Sequence, residues 1–222
     1  MIIRDDIPLI KNILNLHNKN IDTHFLYDVL TVTNEYPDLA DGLLDSFSTN
    51  QANAKLALLN AVDELCILNE ESTVVIWGAW YGSILIPYLA DKVKKVVAID
   101  LDPIPLQIAK NRLFPKHKNV DYITDDIFNE CRKVYMTTDL IINTSCEHMK
   151  PMKAWPWFGR SGMNSNCWFA FQSNNMFGIQ GHVNCVKDMN EFKSQLPVNS
   201  RVYFEEEVED TRGTRYMLVG KL

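Results

Sequence analysis

The sequence has no long hydrophobic run and no excess of basic residues. A membrane-spanning helix needs about 18–20 consecutive apolar residues, and a secretory signal needs an apolar region of about 7–15 residues near the N-terminus. Neither pattern is present, so we expect a cytoplasmic protein without a membrane anchor. Lysine and arginine number 22 against 28 acidic residues, and the net charge of -6 makes bulk nucleic-acid binding unlikely as a function.

The cysteines are few and have no regular spacing. They are odd in number, with 5 in the chain, and no two of them form a C-x-x-C motif. Paired cysteines are typical of disulfide frameworks, and closely spaced cysteines of zinc clusters. We therefore expect a reduced protein without a disulfide framework, and the sequence indicates no metal site.

The N-terminal third has the apolar spacing of helices. Apolar residues recur at intervals of three and four in two stretches. The first stretch contains Leu9, Ile10, Ile13 and Leu14, and the second contains Leu56, Leu59, Val62 and Cys66. The side chains of Ser48, Thr49 and Asn50 are suited to cap a helix from Gln51 to Leu68, and TVTNEYPDLADG is predicted to be a loop or short turn between helices. Residues 1–70 are thus predicted to form a helical N-terminal cap.

From Thr73 onward, short β-branched runs alternate with helical stretches, which is typical of a parallel sheet with crossover helices. The predicted strands are Thr73 to Trp77, Lys95 to Ile99, Val120 to Ile123, Asp139 to Asn143 and Cys167 to Gln172. The predicted helices are Ser83 to Asp91, Pro103 to Leu113, a piece after Asp126 and a piece near Lys187 to Leu196. The C-terminal segments RVYFEEEVED and TRYMLVGKL predict an antiparallel hairpin, and residues 71–222 are predicted to form one domain.

Ligands of open parallel sheets bind beyond the carboxyl ends of the strands. The first predicted strand is followed there by Gly78-Ala79-Trp80-Tyr81-Gly82 and then a helix. Glycines allow a sharp turn and close approach of a ligand, although a tight turn without a ligand is the alternative. A dinucleotide fingerprint needs a glycine where Trp80 stands, which weakens the case for NAD or FAD. Pro87 implies that the following helix starts late or is kinked.

Acidic residues follow the next two predicted strands. Asp100 stands at the end of the second strand, where a carboxylate accepts hydrogen bonds from ribose hydroxyls, and Asp102 before Pro103 is predicted to be a helix N-cap. Asp125 and Asp126 follow the third strand. Either they bind an exocyclic adenine amine while Ile127 packs on the ring, or they cap a helix.

The fourth predicted strand ends in the polar run Asn143-Thr144-Ser145-Cys146-Glu147-His148. Glu147 or His148 is suited to remove a proton from an acceptor, because partial burial tunes either group toward neutral pH. The alternative is that Glu147 caps a helix and His148 packs. Nothing in the sequence supports Cys146 as a nucleophile.

Taken together, the GAWYG loop, the strand ending in AID, the Asp-Asp pair, the NTSCEHM segment and the terminal hairpin resemble a class I, Rossmann-like S-adenosylmethionine-dependent methyltransferase. The resemblance implies an α/β fold with a Rossmann-like, mostly parallel sheet, an antiparallel C-terminal hairpin and a helical N-terminal extension. It further implies that the Gly78 to Gly82 loop meets the methionine part of the cofactor, that Asp100 meets the ribose, and that Asp125 or Asp126 with Ile127 meets the adenine. The adjoining Leu101 is predicted to be a further cofactor-binding residue. The acceptor side falls at Asn143, Glu147 and His148. The family usually has an acid and a glycine where this chain has Ile76 and Trp80.

The resulting hypothesis is direct, in-line methyl transfer from S-adenosylmethionine to a small-molecule or peptide-like acceptor. Three alternatives remain: a nicotinamide-dependent oxidoreductase, a non-catalytic nucleoside-cofactor-binding protein, and transfer of the aminocarboxypropyl group. Several further polar and aromatic residues are candidates for the rim of the site, with core packing, capping or loop hydrogen bonds as the alternative: Ser48, Asn50, Gln51, Lys55, Trp155 to Phe158, Ser173, Asn174, Asn175 and His182.

Overall fold

Seven strands form one sheet in the order β3-β2-β1-β4-β5-β7-β6. The computed structural model describes residues 23–128, 132–155, 164, 166–210 and 212–222. The strands are β1 (Thr73–Trp77), β2 (Lys95–Asp100), β3 (Val120–Thr124), β4 (Leu140–Asn143), β5 (Trp168–Asn174), β6 (Arg201–Asp210) and β7 (Gly213–Lys221). Strands β1 to β5 pair in parallel, and β7 is antiparallel to both β5 and β6. The mostly parallel sheet with a C-terminal hairpin is thus confirmed.

Strand bounds differ from the prediction by one or two residues at the ends. β1 has the predicted bounds, β2 and β3 each extend by one residue, and β5 is shifted toward its carboxyl end. β4 begins after Asp139, whose Oδ2 accepts a hydrogen bond of 2.8 Å from the backbone N–H of Thr73. The chain order reverses between β1 and β4, which opens a crevice at the carboxyl ends of these strands.

Helices precede the sheet, as the apolar spacing predicts. They are α1 (Thr23–Glu35), a 3₁₀ turn (Pro37–Leu39), α2 (Ala40–Asp45) and α3 (Thr49–Glu64). The Oγ of Ser48 accepts a hydrogen bond from the N–H of Gln51 and caps α3, so the predicted capping by this segment is confirmed. The predicted helix through Leu9 to Leu14 lies outside the described residues.

The prediction of a loop or short turn at TVTNEYPDLADG is confirmed only for the turn at Pro37–Leu39 and was wrong for the residues on either side. Its first five residues belong to α1, and the remainder forms the 3₁₀ turn and the start of α2. Val32 is buried against the core, which favours continuation of the helix. The β-branched threonines are accommodated because Thr31 and Thr33 donate hydrogen bonds to the carbonyls of Tyr27 and Leu30, at 2.7 and 2.9 Å.

The remaining helices are short: α4 (Leu85–Ala90), α5 (Pro103–Ile108), which continues as a π-helical turn (Ala109–Leu113), α6 (Arg132–Tyr135) and α7 (Met189–Ser194). The late start of α4 places Pro87 in the first turn, where its missing N–H has no intrahelical partner. The Oδ1 of Asp102 accepts a 2.9 Å hydrogen bond from Ile104, which confirms the predicted N-cap of α5. Among the described residues, no helix is long and apolar enough to span a membrane.

Hydrophobic cores cover both faces of the sheet. Alternate residues of β1 face different cores: Ile76 packs in the core that contains residues of α1 to α5, and Trp77 packs in the other. Trp155 belongs to the second core, 4.6 Å from Trp77 between ring centroids, and its Nε1 donates a 2.6 Å hydrogen bond to the carbonyl of Ile127. Trp155 is therefore a core residue, and the neighbouring residues 156–158 lie outside the described part of the chain.

Candidate active site

A cavity of about 500 Å³ opens at the carboxyl ends of the parallel strands. Its wall combines the loops after β1 to β5 with α2, α3 and the start of β7. The lining residues are Asp45, Ser46, Gln51, Lys55, Gly78, Ala79, Trp80, Gly82, Ser83, Asp100, Leu101, Asp125, Asp126, Ile127, Phe128, Thr144, Ser145, Glu147, His148, Met149, Met176, Ile179, His182, Arg212 and Arg215.

The loop between β1 and α4 forms a tight cradle. Gly78, Trp80 and Gly82 all have left-handed backbone conformations, with φ of 61°, 49° and 60°. A Cβ at Gly78 would lie 3.3 Å from the Cε of Met149, and a Cβ at Gly82 would lie 2.2 Å from the Cδ1 of Ile86. The loop therefore requires glycine at both ends, and Trp80 adopts a conformation that favours glycine.

Asp100 ties this loop to the end of β2. Its Oδ2 accepts a 2.7 Å hydrogen bond from the backbone N–H of Trp80, and its Oδ1 accepts a 3.0 Å hydrogen bond from the N–H of Asp102. Each carboxylate oxygen has a second lone pair, so the group retains acceptors for ligand hydroxyls. Leu101 stands next to it with 69% of its surface exposed, and both residues line the cavity.

The loop after β3 supplies two carboxylates and an apolar wall. The N–H of Asp125 donates a 3.0 Å hydrogen bond to the carbonyl of Asp100, which holds the loops after β2 and β3 together. Asp125 Oδ1 and Asp126 Oδ1 accept backbone hydrogen bonds of 2.8 and 2.9 Å from Asp126 and Phe128. Both acids thus stabilise the turn and also line the cavity beside Ile127.

Two of the predicted cofactor-binding and catalytic residues, Tyr81 and Asn143, do not line the cavity. Tyr81 is buried in the core under the loop. The Asn143 side chain is fully buried, where its Oδ1 accepts a 2.9 Å hydrogen bond from the N–H of Ser145 and its Nδ2 lies 3.0 Å from the Sδ of Met149. Asn143 therefore shapes the loop that follows β4.

Glu147 is a buried carboxylate on the cavity wall. A short 3₁₀ turn, Cys146–His148, holds it there. Its Oε1 lies 3.8 Å from Nη1 of the buried Arg215, whereas its Oε2 has no hydrogen-bond partner among the described residues. Burial raises the pKa of Glu147 above its ordinary value. Burial, together with the charge of Glu147, also raises the pKa of Cys146, which is therefore a neutral thiol and poorly suited to act as a nucleophile.

Lys55 reaches the cavity from α3. Burial, and then the charge of Arg215, lowers the pKa of Lys55 to about 8. Its Nζ donates a hydrogen bond to the Oε1 of Gln51, which also lines the cavity. Gln51 and Lys55 thus place α3 on the cavity wall, whereas Ser48 and Asn50 do not line the cavity.

Two imidazoles, from the loops after β4 and β5, lie together on the cavity wall. The rings of His148 and His182 are edge-to-face, with centroids 4.7 Å apart. Their Nδ1 atoms lie 3.0 and 3.1 Å from the carbonyl oxygens of Gly181 and Met176. Burial, and then the charge of His148, lowers the pKa of His182. His182 therefore lines the cavity, and it also makes the loop hydrogen bond that was the alternative for this residue.

The other candidates after β5 have structural roles. Ser173 and Asn174 are buried, and neither lines the cavity. The Oδ1 of Asn175 accepts a 2.8 Å hydrogen bond from the N–H of Thr214. For this segment the structure therefore agrees with the alternative interpretation, in which these residues pack in the core or make loop hydrogen bonds.

Sequence reasoning missed several residues of the cavity wall. Arg215 lies in an otherwise apolar stretch of β7, and its Nε lies 3.2 Å from the Oδ2 of Asp210. A buried charge within a hydrophobic strand was the available signal for this residue. Ser46 donates to the carbonyl of Leu43 at 2.6 Å and accepts from Ser83 at 2.6 Å, so it joins the N-terminal helices to the β1 loop.

The residues present fit an adenosyl sulfonium cofactor. The cradle at Gly78 leaves space that a Cβ would fill, the Asp100 carboxylate faces the same cavity, and Ile127 provides an apolar wall for a planar ring. The side chain of Trp80 stands where the second glycine of a dinucleotide fingerprint would lie, so a pyrophosphate fits this loop less well.

No protein-family model matches the sequence, and no curated protein has significant sequence similarity to it. Solved structures do match by fold. The chain is similar to the N-methyltransferase NodS from Bradyrhizobium japonicum WM9 in complex with S-adenosyl-l-homocysteine, with a TM-score of 0.60, 14% identity and coverage of 78% of this chain and 87% of that chain.

Two further structures show the same likeness. A SAM-dependent methyltransferase from Aquifex aeolicus matches with a TM-score of 0.55 and 19% identity over 72% of this chain and 87% of that chain. A SAM-dependent methyltransferase from Leishmania major matches with a TM-score of 0.60 and 14% identity over 77% of this chain and 74% of that chain. The chain therefore has the Rossmann-like fold of class I S-adenosylmethionine-dependent methyltransferases.

Proposed function

We propose that this protein is an S-adenosylmethionine-dependent methyltransferase that acts on a small-molecule or peptide-like acceptor. The observation that carries the proposal is a single cavity that joins two sets of residues. One set is the Gly78 to Gly82 cradle with Asp100, Leu101 and the Asp125 to Ile127 loop, and the other is Glu147 with His148. The first set suits a cofactor and the second suits an acceptor, so the cavity brings both substrates together.

In this proposal the loops after β1, β2 and β3 each contact a different part of the cofactor. Asp100 accepts hydrogen bonds from the ribose hydroxyls, because both of its oxygens are held by backbone N–H groups and retain lone pairs. Asp125 or Asp126 accepts from the adenine amine while Ile127 packs on the ring. The cradle of Gly78, Ala79, Trp80 and Gly82 surrounds the methionine part. Tyr81 supports the cradle from the core.

When bound, S-adenosylmethionine supplies a methyl group on a sulfonium that is a good leaving group. The protein's task is then to position the acceptor atom about 3 Å from the methyl carbon and to exclude water. Residues 1–70 act as a cap in this proposal, since Gln51 and Lys55 of α3 line the cavity beside the sheet.

Glu147 and His148 act on the acceptor side. The buried Glu147 carboxylate has a raised pKa, and its Oε2 has no hydrogen-bond partner among the described residues, which suits it to take a proton from the acceptor. His148 lines the same end of the cavity. Asn143 does not reach the cavity, and we assign it a positioning role because it fixes the backbone of Ser145.

The test is calorimetric titration of the full chain with S-adenosylhomocysteine and, separately, with NAD⁺. We expect binding of S-adenosylhomocysteine and no comparable binding of NAD⁺. Release of S-adenosylhomocysteine from S-adenosylmethionine with a panel of small-molecule and peptide acceptors then tests catalysis, and mass spectrometry of the product shows whether a methyl or an aminocarboxypropyl group moved. Binding of NAD⁺ alone would replace this proposal with the oxidoreductase alternative.

A further inference from the structure

The cavity contains a group of metal-ligating side chains that methyl transfer itself does not require. In the part of the chain that the structure describes, Glu147, His148 and His182 each offer one ligand atom, and these atoms lie within 4.8 Å of one another. All three residues line the cavity. Two imidazoles and one carboxylate on one wall are a ligand set for a divalent transition metal ion.

Both imidazoles are held by hydrogen bonds that leave a nitrogen for a metal. The carbonyl oxygens of Gly181 and Met176 lie 3.0 and 3.1 Å from the Nδ1 atoms of His148 and His182. A carbonyl only accepts, so each Nδ1 must donate, and each Nε2 then carries the lone pair. The Sγ of Cys185 lies 3.5 Å from the Nδ1 of His182 and limits the rotation of that ring further. Metal-bound histidines are commonly oriented in this way by a hydrogen bond from the other ring nitrogen.

The carboxylate has an oxygen that lacks a partner. Glu147 is 3% exposed, and its Oε2 makes no hydrogen bond to any described residue. A buried carboxylate oxygen without a partner is costly, and a bound cation would compensate it. Arg215 pairs with the same carboxylate only through the other oxygen, since its Nη1 lies 3.8 Å from Oε1, and its Nε lies 3.2 Å from the Oδ2 of Asp210. This ion pair leaves Oε2 without a hydrogen-bond donor among the described residues.

The two segments that carry these ligands are fixed to each other. The backbone N–H groups of Val183 and Asn184 both donate to the carbonyl of Glu147, at 2.9 Å each. The Nδ2 of Asn184 also donates to the carbonyl of Cys146, at 3.2 Å. Because the backbone next to His182 is bonded to the backbone of Glu147, the three ligands are preorganised by the fold.

We propose that Glu147, His148 and His182 form a binding site for a divalent transition metal ion at the acceptor end of the cavity. Three protein ligands leave coordination positions open toward the cavity, where an oxygen or nitrogen atom of the acceptor completes the coordination. The metal site stands on the geometry of this chain, and it rests on the proposed function only for the identity of that acceptor group. With the metal bound, Glu147 acts as a ligand instead of taking a proton from the acceptor, and the metal orients the acceptor and withdraws electron density from the coordinated atom.

The test is titration of tag-free, chelator-treated full chain with Co²⁺, monitored by visible absorption and by equilibrium dialysis. We expect binding of one ion and a dissociation constant at least about tenfold larger in each of Glu147→Gln, His148→Gln and His182→Gln. Excess Mg²⁺ should not displace Co²⁺, since imidazole ligands disfavour it. The matched control is His117→Gln, because His117 precedes β3 at the opposite end of the strands, and its Co²⁺ affinity should equal that of the unmodified chain.

Titration of every variant with S-adenosylhomocysteine in the absence of metal separates this site from the proposed function and checks that each variant is folded. Unmodified protein that binds S-adenosylhomocysteine but not Co²⁺ would overturn the metal site and leave the proposed function intact. Equal Co²⁺ affinity in His182→Gln and the unmodified chain would also overturn it. Co²⁺ binding that depends on all three ligands, without binding of S-adenosylhomocysteine, would support the metal site and refute the proposed function.

Discussion

Replacement of Asp100 by alanine tests the placement of the cofactor most directly. The carboxylate of Asp100 has two roles in the structure and the proposal: it holds the β1 loop through Trp80 and it faces the cavity as an acceptor for ribose hydroxyls. Asp100→Ala removes both roles at once. The neighbouring Asp102 provides a matched control, because it has the same charge but caps α5 and does not line the cavity.

The size of each effect follows from the hydrogen bonds. The bond from Trp80 to Asp100 is 2.7 Å long and partly buried, whereas the 3.0 Å bond from Asp102 is exposed. A hydrogen bond to a charged group contributes about 1.5–3 kcal/mol, so Asp100→Ala should lower the free energy of unfolding by roughly that amount. Loss of the ribose acceptor should weaken S-adenosylhomocysteine binding by about 1–3 kcal/mol, or roughly 5- to 150-fold.

Urea denaturation measures the stability change, and titration calorimetry measures the affinity. Asp102→Ala should cost about 1 kcal/mol of stability through loss of its cap, without a change in affinity for S-adenosylhomocysteine. Unchanged affinity in Asp100→Ala would refute the placement of the ribose. Equal losses of affinity in the two variants would show that general charge, and not the Asp100 contact, determines binding.

Three further predictions concern the loop and the cavity wall. Gly82→Ala should lower the free energy of unfolding in urea by about 2–4 kcal/mol, because alanine disfavours the left-handed φ and its Cβ would lie 2.2 Å from Ile86. The control Gly178→Ala should cost only about 1–2 kcal/mol for its left-handed φ, because its Cβ would meet no atom within 4 Å. Equal losses in the two variants would contradict the predicted clash with Ile86. Trp80→Gly should be more stable than Trp80→Ala by about 1 kcal/mol, since the left-handed φ of 49° favours glycine, and the reverse order would refute this strain. Burial and the charge of Arg215 lower the pKa of Lys55 from 10.5 to about 8. Between these two pH values Lys55 binds fewer protons in the folded chain than in the unfolded chain, so its charged form destabilises the fold most below pH 8. Relative to the unmodified chain, Lys55→Met should thus lose stability as the pH rises from about 8 to 10.5, and a constant difference in urea denaturation would contradict the lowered pKa.

Local patterns in the sequence determined the sheet and the proposed cofactor side of the cavity. β1 was predicted with its observed bounds because a short β-branched run buried on both faces is a local signal. Asp100 and the Asp125 to Ile127 loop were found because the residues after parallel strands meet at one edge of the sheet. The last five residues of α1, 31–35, were predicted to be a loop or short turn. Their sequence shows no clear apolar spacing, and only the buried position of Val32 in the core identifies them as helical.

Only the tertiary structure decided which residues form the proposed acceptor side of the cavity. Arg215 reaches the cavity because β7 pairs with β5, which places Arg215 opposite Asn174 across the sheet. His182 stands beside His148 because the backbone that follows it bonds to the carbonyl of Glu147. The sequence by itself determined which strand ends carry polar groups, since that depends on local spacing. Which of these groups share a wall depends on pairing and hydrogen bonds between residues far apart in the chain, and therefore on the folded structure.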